Sequence, residues 1–248
     1  MTGLGLLPPH GRLACAKCFG GVADWGRSQI ASHDGWTLDH NPCAWGSQNP
    51  RFLLLGFSKG DRQSIGIRNR RHEDIPYAGF RPRLTEGLQR LGLLSPGKTL
   101  DELLRPEEPD WGFGSLVRCS AASGGKKSGV IIKSAPTAQS YLDWRDACTS
   151  QFLSALPPRL EIVVMLSNDE PYVASCRNRI TALHPAVRPI NDVAYGDGQV
   201  TWVHIVHFGG QGFNHMRDWL AFADNKAGRK GRMAFEAVQK ALTSRFAT

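Results

Sequence analysis

The sequence predicts a single α/β domain: a doubly wound, mainly parallel four-stranded sheet with helices on both faces. Three observations carry that expectation. Four short apolar runs, Phe52 to Gly56, Phe113 to Val117, Ile162 to Leu166 and Val203 to Val206, are bounded by glycine or polar residues and lack the alternation of a half-exposed strand. Buried parallel strands have that pattern. The stretches between them repeat apolar residues every three or four positions, as helices covering a sheet do. A chain of 248 residues, 41% of them hydrophobic, is long enough to bury one sizeable core.

Residues 1–50 read as a cysteine-bearing N-terminal arm, and the first strand follows it. After that strand, Leu84, Leu88 and Leu91 fall at helical spacing, and Gly92 suits the helix end. Beyond the second strand, Tyr141, Trp144, Cys148, Phe152 and Leu156 form a stripe that Pro157-Pro158 stops. Pro171 and Tyr172 open a further helix after the third strand, and Met233 to Phe246 forms an amphipathic terminal one. The order is β-α-β-α-β, without internal repeats.

The formal charge of +8 and a pI near 9.4 favour a polyanionic partner, with nucleic acid the leading candidate. Three basic segments read as loops suited to phosphates: Arg62 to Arg71, Gly124 to Ser134 with Lys126, Lys127 and Lys133, and Asn225 to Arg232. The apolar stretch Leu4 to Pro9 is too short and too proline-broken for a signal peptide or a membrane span. A cytoplasmic monomer that does not engage membranes is expected.

In that compartment thiols stay reduced, so six cysteines point to metal ligation rather than to disulfides. Cys15 and Cys18 form a Cys-x-x-Cys pair, whose spacing lets two thiolates converge on one metal or cluster. Cys119 follows the second strand and Cys148 lies on the next helix, with Cys43 and Cys176 as outsiders. Thiolate-only ligation suits zinc or an iron–sulfur cluster, and spacing does not separate the two.

In this order of features the chain resembles the iron–sulfur-containing bacterial and archaeal uracil-DNA glycosylases, within the wider uracil-DNA glycosylase superfamily, over nearly its whole length. Gly56-Phe57-Ser58-Lys59-Gly60 stands where the family has its first strand-end motif, of Gly-Glu-x-Pro-Gly type. Pro76-Tyr77-Ala78-Gly79 is similar to the family's Pro-Phe-x-Gly segment, and Val206-His207-Phe208 stands where the family has His-Pro-Ser. The resemblance implies a DNA-repair hydrolase that excises uracil or another deaminated base from DNA. It also implies a structural 4Fe–4S cluster on Cys15, Cys18, Cys119 and Cys148, with zinc as the alternative.

Cleaving an N-glycosidic bond leaves charge on the departing base, and the base must first be flipped into a pocket. By resemblance His207 stabilises that charge, Tyr77 stacks on the base, and Gly56, Phe57 and Gly60 line the base and DNA. Ser58 occupies the position where the superfamily often orients water with Asp or Asn, and Asp61 is the substitute carboxylate. Glu86 stands where the family reads uracil with asparagine; its carboxylate cannot offer an amide's paired donor and acceptor, which points to a changed base preference. Asn168 or Asn214 is the candidate to supply the amide, and Gln211 to probe the duplex. A second expectation is a nucleic-acid-binding relative that kept the fold and lost the reaction.

Overall fold

In the computed structural model, residues 5–124, 132–209 and 213–244 are described. The strands are β1 (Gly11–Arg12), β2 (Gln29–Ala31), β3 (Trp36–Asp39), β4 (Cys43–Gly46), β5 (Phe52–Gly56), β6 (Trp111–Ser115), β7 (Ser120–Ser123), β8 (Ile162–Leu166), β9 (Arg188–Asn191), β10 (Ala194–Gly196) and β11 (Thr201–Ile205). The helices are α1 (Asp61–Asn69), α2 (Arg81–Arg90), α3 (Leu100–Leu103), α4 (Gln139–Phe152), α5 (Glu170–Leu183), α6 (Phe213–Ala221) and α7 (Lys226–Ser244).

The fold is α/β, but its sheet is not four-stranded. The four apolar runs pair in parallel as β6-β5-β8-β11. They form the centre of an eight-stranded mixed sheet, ordered β1-β4-β6-β5-β8-β11-β10-β9. The second run is displaced by two residues, because the paired segment is Trp111–Ser115 and Leu116-Val117 already belongs to the turn. The extra strands are short, antiparallel and set at the edges, where a continuous apolar run is not required. Residues of the expected arm supply β1 and β4 to this sheet, while β2 and β3 join β7 in a separate three-stranded sheet.

Side chains alternate across the central strands, so each strand serves two cores. Phe52, Leu54, Ile162, Val164, Val203 and Ile205 face the layer of α2, α3, α6 and α7. Leu53, Leu55, Val163, Met165 and Trp202 face the layer of α4 and α5. The helix that leads from β5 to β6 therefore lies on one face, and the helix from β6 to β8 on the other. The chain reverses direction across the sheet between β5 and β8, the position at which such folds open a crevice beyond their carboxyl ends.

Helix ends follow the sequence cues. Pro82 and Pro171 sit in the first turns of α2 and α5, where the missing N–H costs nothing. Gly92 takes φ +76 after α2, the left-handed turn that closes a helix. The stripe on α4 ends at Phe152, leaving Leu156 beyond the helix.

Two of the expected basic loops are helical. Asp61–Asn69 forms α1, and Lys226–Arg232 forms the first turns of α7, which begins well before Met233. Gly228 and Gly231 of this helix serve close packing. A Cβ on Gly228 would meet the Ala223 backbone oxygen at 2.0 Å, and one on Gly231 would meet that of Trp219 at 2.3 Å. In the third segment, Lys126 and Lys127 lie outside the described residues, and Lys133 is exposed in a short helical turn. Among the described residues no helix is long and apolar enough to cross a membrane.

Candidate nucleic-acid site and cysteine centre

Parallel pairing in near register brings the carboxyl ends of the four central strands to one rim. Gly56 stands opposite Ser115, Leu55 opposite Met165, and Leu166 opposite Ile205. The first motif leaves β5 at this rim, but its residues divide between tasks. Gly56 is buried in the sheet, and Gly60 is the exposed residue that caps α1. Phe57 is 7% exposed and stacks on Tyr141 with ring centroids 4.2 Å apart, so its ring belongs to the core. The Ser58 hydroxyl donates to the Ala121 carbonyl at 3.3 Å. Asp61 is the first residue of α1, and its side chain lies outside the described set.

The Pro76–Gly79 turn is held by arginines from the helix that follows it. Arg81 Nε donates to the Pro76 carbonyl at 2.8 Å, its Nη2 donates to the Glu73 carbonyl, and Arg83 donates to Gly79 O at 2.8 Å. Tyr77 adopts φ +57, a left-handed conformation uncommon for a bulky residue. Its ring is turned inward, 5% exposed, with the hydroxyl 3.5 Å from the Leu54 carbonyl, and burial pushes its pKa up. The aromatic that meets His207 is Phe80, with ring centroids 5.2 Å apart. The sequence carried a signal for Phe80: a second aromatic three residues beyond Tyr77, at the N-cap of α2.

His207 is half-buried, and desolvation lowers its pKa, so the ring is neutral near pH 7. Gly209 presents a carbonyl at 2.8 Å and an N–H at 3.1 Å to Nδ1. Either tautomer therefore finds a partner, and in one of them Nε2 carries a proton to donate. Glu86 is exposed on α2 and Asn214 is exposed on α6, while Gln211 lies outside the described residues.

At the end of β8, Ser167 takes φ +102, a strained value for a residue with a side chain. Its carbonyl accepts from His204 Nδ1 at 2.8 Å, and the Asn168 carbonyl accepts from Lys230. The following residue was not singled out by its sequence. Asp169 Oδ1 is buried and, among the described residues, without a hydrogen-bond partner, although Asp169 occupies the N-cap of α5. A buried unpaired acceptor beside the crevice suits a carboxylate that holds water or a ligand proton.

The four cysteines expected as ligands come from three parts of the chain. Cys18 is the middle residue of the Lys17–Phe19 turn, which packs on α4, and Cys15 stands two residues before it; Cys15 Sγ lies 3.5 Å from Gln151 Oε1, and the Cys15 carbonyl accepts from His40 Nε2 at 2.9 Å. Cys148 sits one turn before Gln151 on α4, and Cys119 lies between β6 and β7. Burial pushes Cys119 up to about 12 and Cys18 up to about 11. The sulfurs also act on one another: Cys148 and Cys15 raise Cys18, Cys148 and Cys18 raise Cys119, and Cys15 raises Cys148. The backbone of Asn41 acts on Cys119 and that of Arg118 on Cys148, each in favour of the thiolate and against the effect of burial.

Among the described residues, no group of three or more Cys, His, Asp or Glu side chains is arranged to hold a single metal ion. Cys43 and Cys176 are buried, and Cys176 lies one turn beyond Tyr172 on α5. The donor set is nonetheless that of a thiolate-bound group, since all four members are cysteines and each acts on at least one of the others.

The cations of the two helical basic segments differ in use. Lys226 and Lys230 pair with Glu170, at 2.8 and 3.2 Å. Arg68 and Arg70 are exposed at α1 and, among the described residues, have no carboxylate within ion-pair distance. The chain matches no protein-family model and no curated protein.

Proposed function

We propose that this chain is a DNA glycosylase of the uracil-DNA glycosylase type, with an iron–sulfur cluster on Cys15, Cys18, Cys119 and Cys148. The observation that carries it is the rim at the reversal of strand order. There the Phe80–His207 pair, the strained Ser167 and the unpaired Asp169 carboxylate border the ends of four parallel strands. An aromatic face, a neutral imidazole and a carboxylate are the groups that capturing a flipped base and hydrolysing its glycosidic bond require.

In this assignment Phe80 takes the stacking role and Tyr77 supports it from below. His207, protonated at Nε2 while Gly209 N–H donates to Nδ1, stabilises charge on the departing base. Asp169 or Asp61 orients water. The resemblance, and not the thiolate chemistry, which suits zinc as well, is what favours an iron–sulfur cluster at these four cysteines. The cluster supplies no step of the hydrolysis; it ties the N-terminal segment to α4 and to the β6–β7 turn.

One observation favours a second reading, a nucleic-acid-binding relative without catalysis: the Ser58 hydroxyl is engaged by Ala121, and Tyr77 presents no open face. Single-turnover release of uracil, hypoxanthine or xanthine from oligonucleotides, compared at equal DNA occupancy, decides between the two. Base release that falls on the order of a hundredfold in His207→Ala and Asp169→Asn supports the glycosylase. Binding without release from any of these substrates supports the relative.

A further inference from the structure

The strand-end motif and the cysteine turn each place one long cation where nothing described neutralises it. Lys59 is 3% exposed and Arg118 is 2% exposed. Their only described contacts are with neutral groups. Lys59 Nζ donates to the Arg118 carbonyl, and the Arg118 guanidinium lies 5.5 Å from the Phe152 ring with its Nη1 buried and without a partner. Among the described residues neither cation has a carboxylate within ion-pair distance. The guanidinium also occupies a cradle kept for it: a Cβ on Gly114 would stand 1.5 Å from Arg118 Nη1.

Burying two unpaired cations costs several kcal/mol each unless an opposite charge sits beside them. Arg118 precedes Cys119 in the chain, its carbonyl holds Lys59 Nζ, and its guanidinium lies by Phe152, one turn beyond Cys148 on α4. Burial disfavours the charged form of both cations; the groups that oppose it are Cys43, Cys119 and Cys148 at Lys59, and Cys148, Tyr77 and Cys43 at Arg118.

We infer that Lys59 and Arg118 are the fixed counter-charges of the cysteine centre, positioning residues that hold an anionic thiolate-bound cluster in a buried site and raise its reduction potential. The inference rests on the cluster assignment above. Four thiolates give the centre net negative charge, and gaining an electron makes it more negative. Two buried cations next to it favour the reduced state as well as the assembled one.

The test uses the full chain purified without oxygen, with iron, acid-labile sulfide and zinc measured first. Wild-type protein that holds zinc alone, or no metal, overturns the cluster assignment and this inference with it. With a cluster present, Lys59→Met and Arg118→Gln are expected to shift the midpoint potential to more negative values and to lose iron faster to a chelator, while Arg118→Lys stays near the wild type. The metal-free form distinguishes a counter-charge from a packing residue. There Lys59→Met is expected to be at least as stable to urea as the wild type, since it removes an uncompensated buried charge. A Lys59→Met protein with unchanged potential and unchanged iron retention overturns the inference, as does one whose metal-free and loaded forms lose stability equally.

Discussion

The Tyr195 hydroxyl donates to Nε2 of His204 across 3.1 Å, in a part of the core where His204 has no exposed surface. The other ring nitrogen faces the Ser167 carbonyl at 2.8 Å; a carbonyl only accepts, so Nδ1 carries the proton and Nε2 is the acceptor. The pair fixes the strained end of β8 from behind.

Burial lowers the His204 pKa from 6.5 to about 4. The unfolded chain therefore binds a proton that the folded chain refuses. The stability that the neutral ring contributes is complete above about pH 6.5 and is lost as the pH falls toward about 4. Its full size is about 3 kcal/mol, at ~1.4 kcal/mol per pKa unit. Urea midpoints measured between pH 7.5 and 4 are expected to fall, and His204→Gln, which keeps a donor and an acceptor but does not titrate, is expected to flatten that fall. An equally steep fall in the variant would locate the acid sensitivity elsewhere.

Gly87 on α2 leaves room for Phe208: an added Cβ would stand 2.2 Å from the end of that ring. Phe208 is fully buried edge-on against Trp219 and follows His207 directly. Gly87→Ala gains ~1 kcal/mol of helix propensity but overpacks this contact by ~1–3 kcal/mol. Net destabilisation in urea is expected, with weaker base release because the His207–Gly209 turn moves. A variant more stable than the wild type would mean that Phe208 can shift without cost.

Serine in place of Cys15, Cys18, Cys119 or Cys148 is expected to lower iron and sulfide content and bleach the visible absorbance, since serine is a poor substitute for a thiolate. Cys43→Ser and Cys176→Ser are expected to retain both. Loss of colour confined to these last two would overturn the ligand set.

Arg68 and Arg70 stand on the helix that leaves β5 at the rim. Reversing both to glutamate is expected to weaken binding to all DNA sequences alike. The slope of log K against log salt is expected to flatten by roughly 2 units, one for each phosphate contact removed. Reversing Lys226, already paired with Glu170, should change the slope less. Equal effects from the two substitutions would mean that α1 is not the phosphate-binding face.

The sequence by itself determined the class of this fold and most of its helices. Phe52–Gly56 and Ile162–Leu166 are strands to the residue, because a strand covered on both faces must be apolar throughout, and that pattern is local. Leu84 and Leu88 on α2, like Tyr141 and Cys148 on α4, face the cores that their spacing implied.

Tertiary structure decided the rest. Edge strands of two to four residues such as β1 and β9 take their stability from a neighbour already in place, so nothing local announces them. The basic segment that begins α7 read as a loop, and the close approach of Ala223 and Trp219 to its Gly228 and Gly231 shows only in the assembled chain. Tyr77 and Phe80 are both aromatics of one turn, and only packing sends the first into the core and the second onto His207. Asp169 and Lys59 are ordinary in sequence. Burial, of Asp169 Oδ1 without a hydrogen-bond partner and of the Lys59 ammonium without a carboxylate among the described residues, is what makes each chemically significant, and burial is a property of the assembled chain.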